Sequence, residues 1–209
     1  NVVSEERMFR AEQLHYTQVV PLDKIPEYRE QGNTSYVQAA YLGTYYYLVN
    51  TDRPPVDNVL VRRALSYALD RDTLTRTVLQ ETAIPAYSIT PPDTLGYNPP
   101  KLFDYDPAKA RELLAEAGYP NGEGWPGLEI IYNTQEAHRK IAVAIQQMWK
   151  KELNIDVTIS NQEWKVYLHS VSQRDIHVAR RGWIGDYVDA NNVLDLFSTD
   201  GGNNNTGYA

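Results

Sequence analysis

Between residues 128 and 183 the chain alternates short β-prone runs with longer amphipathic stretches, and this alternation leaves few architectures open. Leu128–Tyr132 reads as a strand, Thr134–Leu153 as a helix, Ile155–Ser160 as a strand, Gln162–Val171 as a helix and Ile176–Trp183 as a strand. A βαβαβ series with crossovers of this length returns its strands to one sheet with helices against the faces, so an α/β fold is expected. Sheets of this kind bind ligands at the carboxyl ends of their strands. Asn133, Asn161 and Asp186 follow three such ends and are expected to share one edge.

The preceding chain is less regular. Ser4–Gln13 reads as the end of a helix that starts before residue 1, Leu14–Val20 as a short strand, and Pro21–Glu30 as a short helix interrupted by Pro26. Val37–Thr51 carries the densest β-propensity in the chain and reads as one long strand, with Gly43 as a bulge or a point of close approach. Arg53, Pro54 and Pro55 stop it. Asp57 or Asn58 then caps a helix with Val61, Ala64, Leu65, Ala68 and Leu69 inward and Arg62 and Arg63 outward. A second start lies at Asp70–Asp72. Five of the 12 prolines fall between Ala83 and Pro100, which reads as an extended loop. Asp106, Pro107, Gly118 and Pro120 mark the start and stop of another helix, and Asn191–Phe197 reads as a last one before a tail in which only Tyr208 could join a core.

The stretch Arg180–Ala190 concentrates the chemistry. Gly182 and Gly185 break the strand and set Trp183 and Asp186 at its end, just after the basic pair Arg180 and Arg181. Both charge signs within a few residues suit a ligand that carries an amine and a carboxylate. Asp186 is either the partner of a ligand ammonium or a cap for the Asn191 helix. Arg180, in phase with Ile176 and Val178, either faces a cleft or pairs with a structural carboxylate. His138 follows the N-x-x-E pattern of Asn133 and Glu136, on the face of Ile141 and Ile145, where a core or capping histidine is the plainer reading. Trp149 and Trp164 at helical positions suit a core as readily as a binding platform.

Several chemistries find no support. The formal charge is −7, from 20 basic and 27 acidic side chains, and no segment gathers the basic ones into a track for phosphates, so nucleic acid is not an expected partner. His15, His138, His169 and His177 form no metal-binding pair, and there is no cysteine to add. No nucleophile elbow, P-loop or dinucleotide fingerprint occurs, so neither a metal nor a cofactor is expected. No apolar run approaches the roughly 20 residues of a membrane span, and the first residues lack a signal-peptide pattern. The 16 tyrosines against 3 phenylalanines fit a tyrosine-rich core or a recognition surface.

Longer motifs carry a resemblance. The series YLGTYYYLVNTDRPPVDNVLVRRALSYALDR, PAYSITPP, DPAKARELLAEAGYP, LEIIYNTQEAHRKIAVAIQQMWKKELNIDVTISNQEWKVYL and VARRGWIGDYVDA resembles the oligopeptide-binding proteins of bacterial ATP-driven (ABC) importers, family 5 of the extracellular solute-binding proteins. The resemblance implies a type II periplasmic-binding-protein lobe, a mixed sheet flanked by helices. Residues 1–209 would form most of one lobe of a two-lobe protein, without the other lobe and without the final helical segment that returns to it. It also implies a non-enzymatic monomer, periplasmic or a lipoprotein outside a single-membrane cell, that closes around short peptides and delivers them to the importer's membrane subunits.

By the same resemblance, Asp186 meets the peptide's α-ammonium, Gly182 and Ile184 offer main-chain partners, and Trp183 lines the cleft. Arg180 matches a contact for the carboxylate of a shorter peptide and His138 one for a longer peptide, while Asn133, Trp164, Leu168 and Tyr46 match pocket-lining positions. The reading of His138 as a core residue is thereby reversed, and Arg181 is not among the expected contacts. Enteric members bridge the positions of Gly43 and Ile184 with cysteines. Val171 stands where they place a second carboxylate-binding arginine and Leu48 where they place a pocket acid, which implies an altered length preference and one less polar pocket. A relative tuned to a dipeptide, a murein peptide or a nickel complex is the rival expectation, and a hydrolase using Asp186, His138 and Arg180 the more distant one.

Overall fold

Four strands form one mixed sheet in the computed structural model, which describes residues 1–30 and 34–208. In chain order they are β1 (Gly43–Val49), β2 (Leu128–Asn133), β3 (Val157–Gln162) and β4 (Val178–Ile184), and in the sheet they lie β1-β4-β2-β3. β2 pairs in parallel with β3 and β4, as the βαβαβ alternation implies, and β1 closes the other side antiparallel to β4.

The helices are α1 (Val2–Arg10), α2 (Ile25–Glu30), α3 (Val59–Tyr67), the short α4 (Arg71–Thr73), α5 (Pro107–Glu116), α6 (Glu136–Leu153), α7 (Trp164–Ser172) and α8 (Asn191–Leu194). α6 carries the chain from β2 to β3, and α7 carries it back past β2 to β4. These crossovers run in opposite directions along the sheet. With right-handed connections they must cover opposite faces.

The core obeys that geometry. On one face Ile130, Tyr132 and Val178 pack with Leu65 of α3, Leu114 of α5 and Ile141, Ile145 and Trp149 of α6. On the other, Leu48, Ile131 and Ala179 pack with Tyr167 and Val171 of α7. Residues one apart on a strand point to opposite faces, and Val178 and Ala179 do so here. Arg180 and Arg181 therefore fall on opposite faces of β4, facing Tyr47 and Tyr46 respectively across the β1 ladder. The basic pair of the sequence is not one site.

Helix ends follow their sequence signals. Asn58 Oδ1 accepts from Leu60 N at 2.9 Å, Asp70 Oδ1 from Thr73 N at 2.9 Å, and Asp106 Oδ1 from Lys109 N at 2.9 Å with Pro107 opening α5. Gly118, at φ +99°, ends that helix in a conformation that side chains with a Cβ rarely adopt. No helix among the described residues is long and apolar enough to cross a membrane.

Several expectations are corrected. α1 ends at Arg10 rather than at Gln13, and Gln13 N donates to Met8 O at 2.9 Å. Residues 14–20 form no strand, because among the described residues no other strand lies beside them to complete a ladder. Pro26 sits in the first turn of α2, where its missing N–H costs no helical bond. The long strand expected over Val37–Thr51 shrinks to β1, whose length is set by its ladder with β4, and Gly43 opens it opposite Ile184. Arg62 folds back onto the Val56 and Asp57 carbonyls at 2.9 and 2.7 Å. The tail is held by Thr206, whose carbonyl accepts from Thr51 N at 2.7 Å and Thr51 Oγ1 at 3.0 Å, and Tyr208 is exposed.

Candidate functional site

β4 pairs with β1 along its full length, but with β2 only at Val178 and Ala179. From Arg180 to Ile184 its β2 side therefore carries no ladder, although the Arg180 carbonyl accepts from the Tyr167 hydroxyl, and this edge lies at the carboxyl ends of the parallel strands. An extended chain could add here as a strand, with its amides and carbonyls pairing to the main chain of Gly182 and Ile184. Gly182 adds no side chain beside this edge; a Cβ there would sit at ordinary contact distance, 3.4 Å, from Arg180 Nη2.

On the α6 face, Arg180 lies over the Tyr45 ring at 4.7 Å and its Nη1 is 3.4 Å from Asn133 Oδ1. Among the described residues no carboxylate oxygen lies within 4.0 Å of its guanidinium, and its buried Nε has no hydrogen-bond partner. The Tyr47 hydroxyl, also buried and unpartnered, has its pKa raised by burial first and by the neighbouring Tyr45 second, so it stays protonated. Two donors without acceptors beside an uncompensated cation suit an anionic group. Asn133 belongs to this cluster. It does not cap α6, whose cap position is Gln135 without a side-chain bond, so the expected Asn133/Glu136 pair does not form.

His138, from the first turn of α6, is buried beside Tyr45, with Nδ1 at 3.3 Å from the Tyr45 hydroxyl and ring centroids 5.5 Å apart. Burial, and then the Arg180 charge, lower its pKa to about 4, so it is neutral at pH 7 and can offer a ligand an N–H but not a charge. This has a measurable effect on stability. The folded-state value of about 4 lies below the ordinary 6.5, so the unfolded chain takes up the proton first. His138 thus contributes fully above about pH 6.5 and its contribution is lost as the pH falls to about 4, a change on the order of 2–3 kcal/mol. Urea unfolding at pH 7.5 and 4.5 is expected to show a larger acid-induced loss for the wild-type chain than for His138→Gln. Equal losses in the two would mean that His138 is not held neutral.

On the α7 face, Tyr46 is half-buried and meets Phe197 edge-on at 6.2 Å. Trp164, half exposed, stacks on Tyr167 at 5.8 Å, and Leu168 one turn along α7 is exposed beside it in sequence. Trp183 is half-buried, with Nε1 donating to Asn192 Oδ1 at 2.6 Å. Beyond the strand, Gly185 N donates to Leu42 O at 2.8 Å and the chain turns out to Asp186, which is exposed and has no cation within 4.0 Å among the described residues. Asp186 does not cap the Asn191 helix either: the cap position is Ala190, without a side-chain bond, and Asn191 N donates to Asp189 Oδ1 at 2.8 Å. Tyr45, Tyr47 and Asn192, which hold Arg180, His138 and Trp183, were not singled out from the sequence. Alternation along β1 opposite Arg180 is the signal that points to the two tyrosines.

Residues 4–205 match the bacterial extracellular solute-binding proteins, family 5 Middle. The chain belongs to this family. Among its family 5 relatives, the oligopeptide-binding protein OppA of Bacillus subtilis is 36% identical over 217 residues, covering 98% of this chain and 39% of that protein. The periplasmic murein peptide-binding protein MppA of Escherichia coli is 42% identical over 179 residues, covering 80% of this chain and 33% of its own length. The crystal structure of Haemophilus influenzae OppA in complex with RPPGFSPFR superposes with a TM-score of 0.89 at 32% identity, over 100% of this chain and 42% of that one. The chain thus spans about two fifths or less of the length of these relatives.

Four of these family positions gain a structural meaning. Gly43 and Ile184 are direct partners at the end of the β1–β4 ladder, where two side chains can meet across antiparallel strands. Leu48 and Val171 are 3% and 1% exposed and fill the smaller apolar cluster together. A charged group at either would have to leave that cluster to reach a ligand.

Proposed function

We propose that this chain forms one wall of a peptide-binding cleft, most of one lobe of a two-lobe solute-binding protein that is not an enzyme. The observation that carries this reading is the free edge of β4 from Arg180 to Ile184. It lies between the Arg180 guanidinium, which has no counter-ion among the described residues, and the exposed carboxylate of Asp186. A peptide added along that edge would place its ammonium at Asp186 and its carboxylate within reach of Arg180 or His138, according to its length. Gly182 and Ile184 would bind its main chain, Trp183 would cover it, and Asn133, Tyr46, Trp164 and Leu168 would line its side-chain pockets. The intact protein would act as a monomer outside the cytoplasmic membrane, closing around the peptide and passing it to the importer's membrane subunits.

Native mass spectrometry of the intact protein tests the ligand class: bound masses are expected to correspond to short peptides. A bound dipeptide alone, a murein peptide or a nickel complex would instead point to a relative tuned to that solute, and cleaved products would point to a hydrolase. Titration calorimetry tests the division into lobes. The 209-residue chain alone is expected to bind tri- to pentapeptides too weakly to measure, because it supplies one side of the cleft. Micromolar affinity for the chain alone would count against that division.

A further inference from the structure

Arg181 lies on the α7 face of β4, opposite to Arg180, and its cross-strand partner is Tyr46. α7 covers this face with Tyr167, whose ring stacks on Trp164, and Phe197 closes on Tyr46 from the other side. The surroundings of Arg181 are thus aromatic. Its Nε is buried without a hydrogen-bond partner, and among the described residues no carboxylate oxygen lies within 4.0 Å of its guanidinium. Burial raises the Tyr46 and Tyr167 hydroxyls above their ordinary range, and the Arg181 charge, with a side-chain hydrogen bond to each, opposes the rise in both.

An arginine with a purely structural role is ordinarily paired with an acid or with carbonyl oxygens, because a half-buried cation without them loses solvation and gains little. Arg62 and Arg111 of this chain show the ordinary arrangement, with carbonyl or carboxylate oxygens within 3.4 Å. Among the described residues Arg181 has no such oxygen. It has neutral hydroxyls, aromatic rings and an unused donor, opposite Tyr46 and on the face covered by α7, the helix that carries Trp164 and Leu168, the other two positions proposed above to line a side-chain pocket.

We propose that Arg181 makes this pocket a subsite for an acidic side chain, so that the protein discriminates in favour of peptides with Glu or Asp at the position that enters it. The inference rests on the peptide-binding reading. The aromatic walls exclude water around the carboxylate, and the guanidinium forms charge-assisted hydrogen bonds that a neutral amide of the same shape cannot match. Arg180, on the other face, remains free for the peptide's terminal carboxylate, so the two adjacent arginines serve two different anions.

The test compares Ala-based tri- and tetrapeptides that carry Glu or Gln at each internal position and at the last position, titrated into the intact protein. At one position the Glu peptide is expected to bind about tenfold or more tightly than its Gln counterpart. In Arg181→Gln that ratio is expected to fall to near one, and in Arg181→Lys to be partly retained; thermal melts of both variants check that they fold. A Glu/Gln ratio near one at every position of the wild-type protein, or a ratio unchanged in Arg181→Gln, overturns the subsite while leaving peptide binding intact. Failure of every peptide to bind the wild-type protein overturns the underlying reading, and the subsite with it.

Discussion

Replacing Asp186 by Ala in the intact protein is expected to weaken tripeptide binding by about 2–5 kcal/mol, some 30-fold to a few thousandfold in Kd. In the structure the carboxylate is exposed, lies two residues beyond the free edge of β4 and is not used as a helix cap, since the cap position of α8 is Ala190 and Asn191 N donates to Asp189 Oδ1. While it is hydrated its charge contributes little. Closure over a bound peptide removes that water, and the attraction for an ammonium then grows as the local dielectric falls. The loss on substitution includes the penalty of leaving the peptide's ammonium buried and unpaired. A double-mutant cycle tests the pairing: an N-acetylated tripeptide, which has no ammonium, should bind the wild-type protein no more tightly than Asp186→Ala, because closure then leaves the carboxylate unpaired, while the free peptide should favour the wild type. If the acetylated peptide distinguishes the two proteins as strongly as the free one, Asp186 acts on something other than the ammonium.

What the sequence displays and what it conceals divide along physical lines. β2, α6, β3, α7 and β4 are legible because each long crossover forces the next strand back into the sheet, and their observed limits differ from the expected ones by only a few residues. Side-chain alternation on β4 was equally available: Val178 and Ala179 bury on opposite faces, and Arg180 and Arg181 must then do the same. The extent of β1 was not available. Its propensity runs from Val37 to Thr51, yet the ladder with β4 covers seven residues, and propensity cannot reveal where a partner ends. Residues 14–20 fail as a strand for the same reason. The α6 start illustrates a second limit: the N-x-x-E pattern suits a cap, but Asn133 is the last residue of β2 and faces Arg180. Tertiary contacts decided between two local roles that the sequence allows.

The same division explains why the candidate site was only partly visible. Asp186, Trp183 and the glycines stand in one short stretch, whereas His138 and Asn133 reach Arg180 from β2 and α6, more than 40 positions away in the chain. Pattern placed His138 on the apolar face of α6, and the structure does bury it there. Burial and function are compatible at that position because the Tyr45 hydroxyl and the Arg180 charge stand beside the ring. A histidine can be part of the core and still line a site when its helix starts at the carboxyl edge of the sheet.

Trp149 holds that helix in place, and Trp149→Ala is expected to cost about 3–5 kcal/mol of folding stability. Its ring is buried in the larger apolar cluster, and Nε1 donates to Leu65 O at 2.9 Å. Leu65 lies in the last turn of α3, where the amide that would continue the ladder, Leu69 N, bonds to Ser66 O instead. The indole therefore satisfies a carbonyl left over at a helix end as well as filling volume. Trp149→Phe separates the two contributions, because it keeps most of the apolar contact and removes the donor; a loss of about 1–3 kcal/mol is expected for the carbonyl left unpaired in a buried setting. Urea unfolding gives both values, and the Phe variant provides the measure if the Ala variant does not fold. A Phe variant as stable as the wild type would show that water or another amide can serve Leu65 O. His138 lies on the same helix about 16 Å toward its N-terminus, so a weakened α3–α6 joint should also raise the pKa of His138 toward 6.5 as α6 opens to solvent, and NMR titration of that ring would detect it.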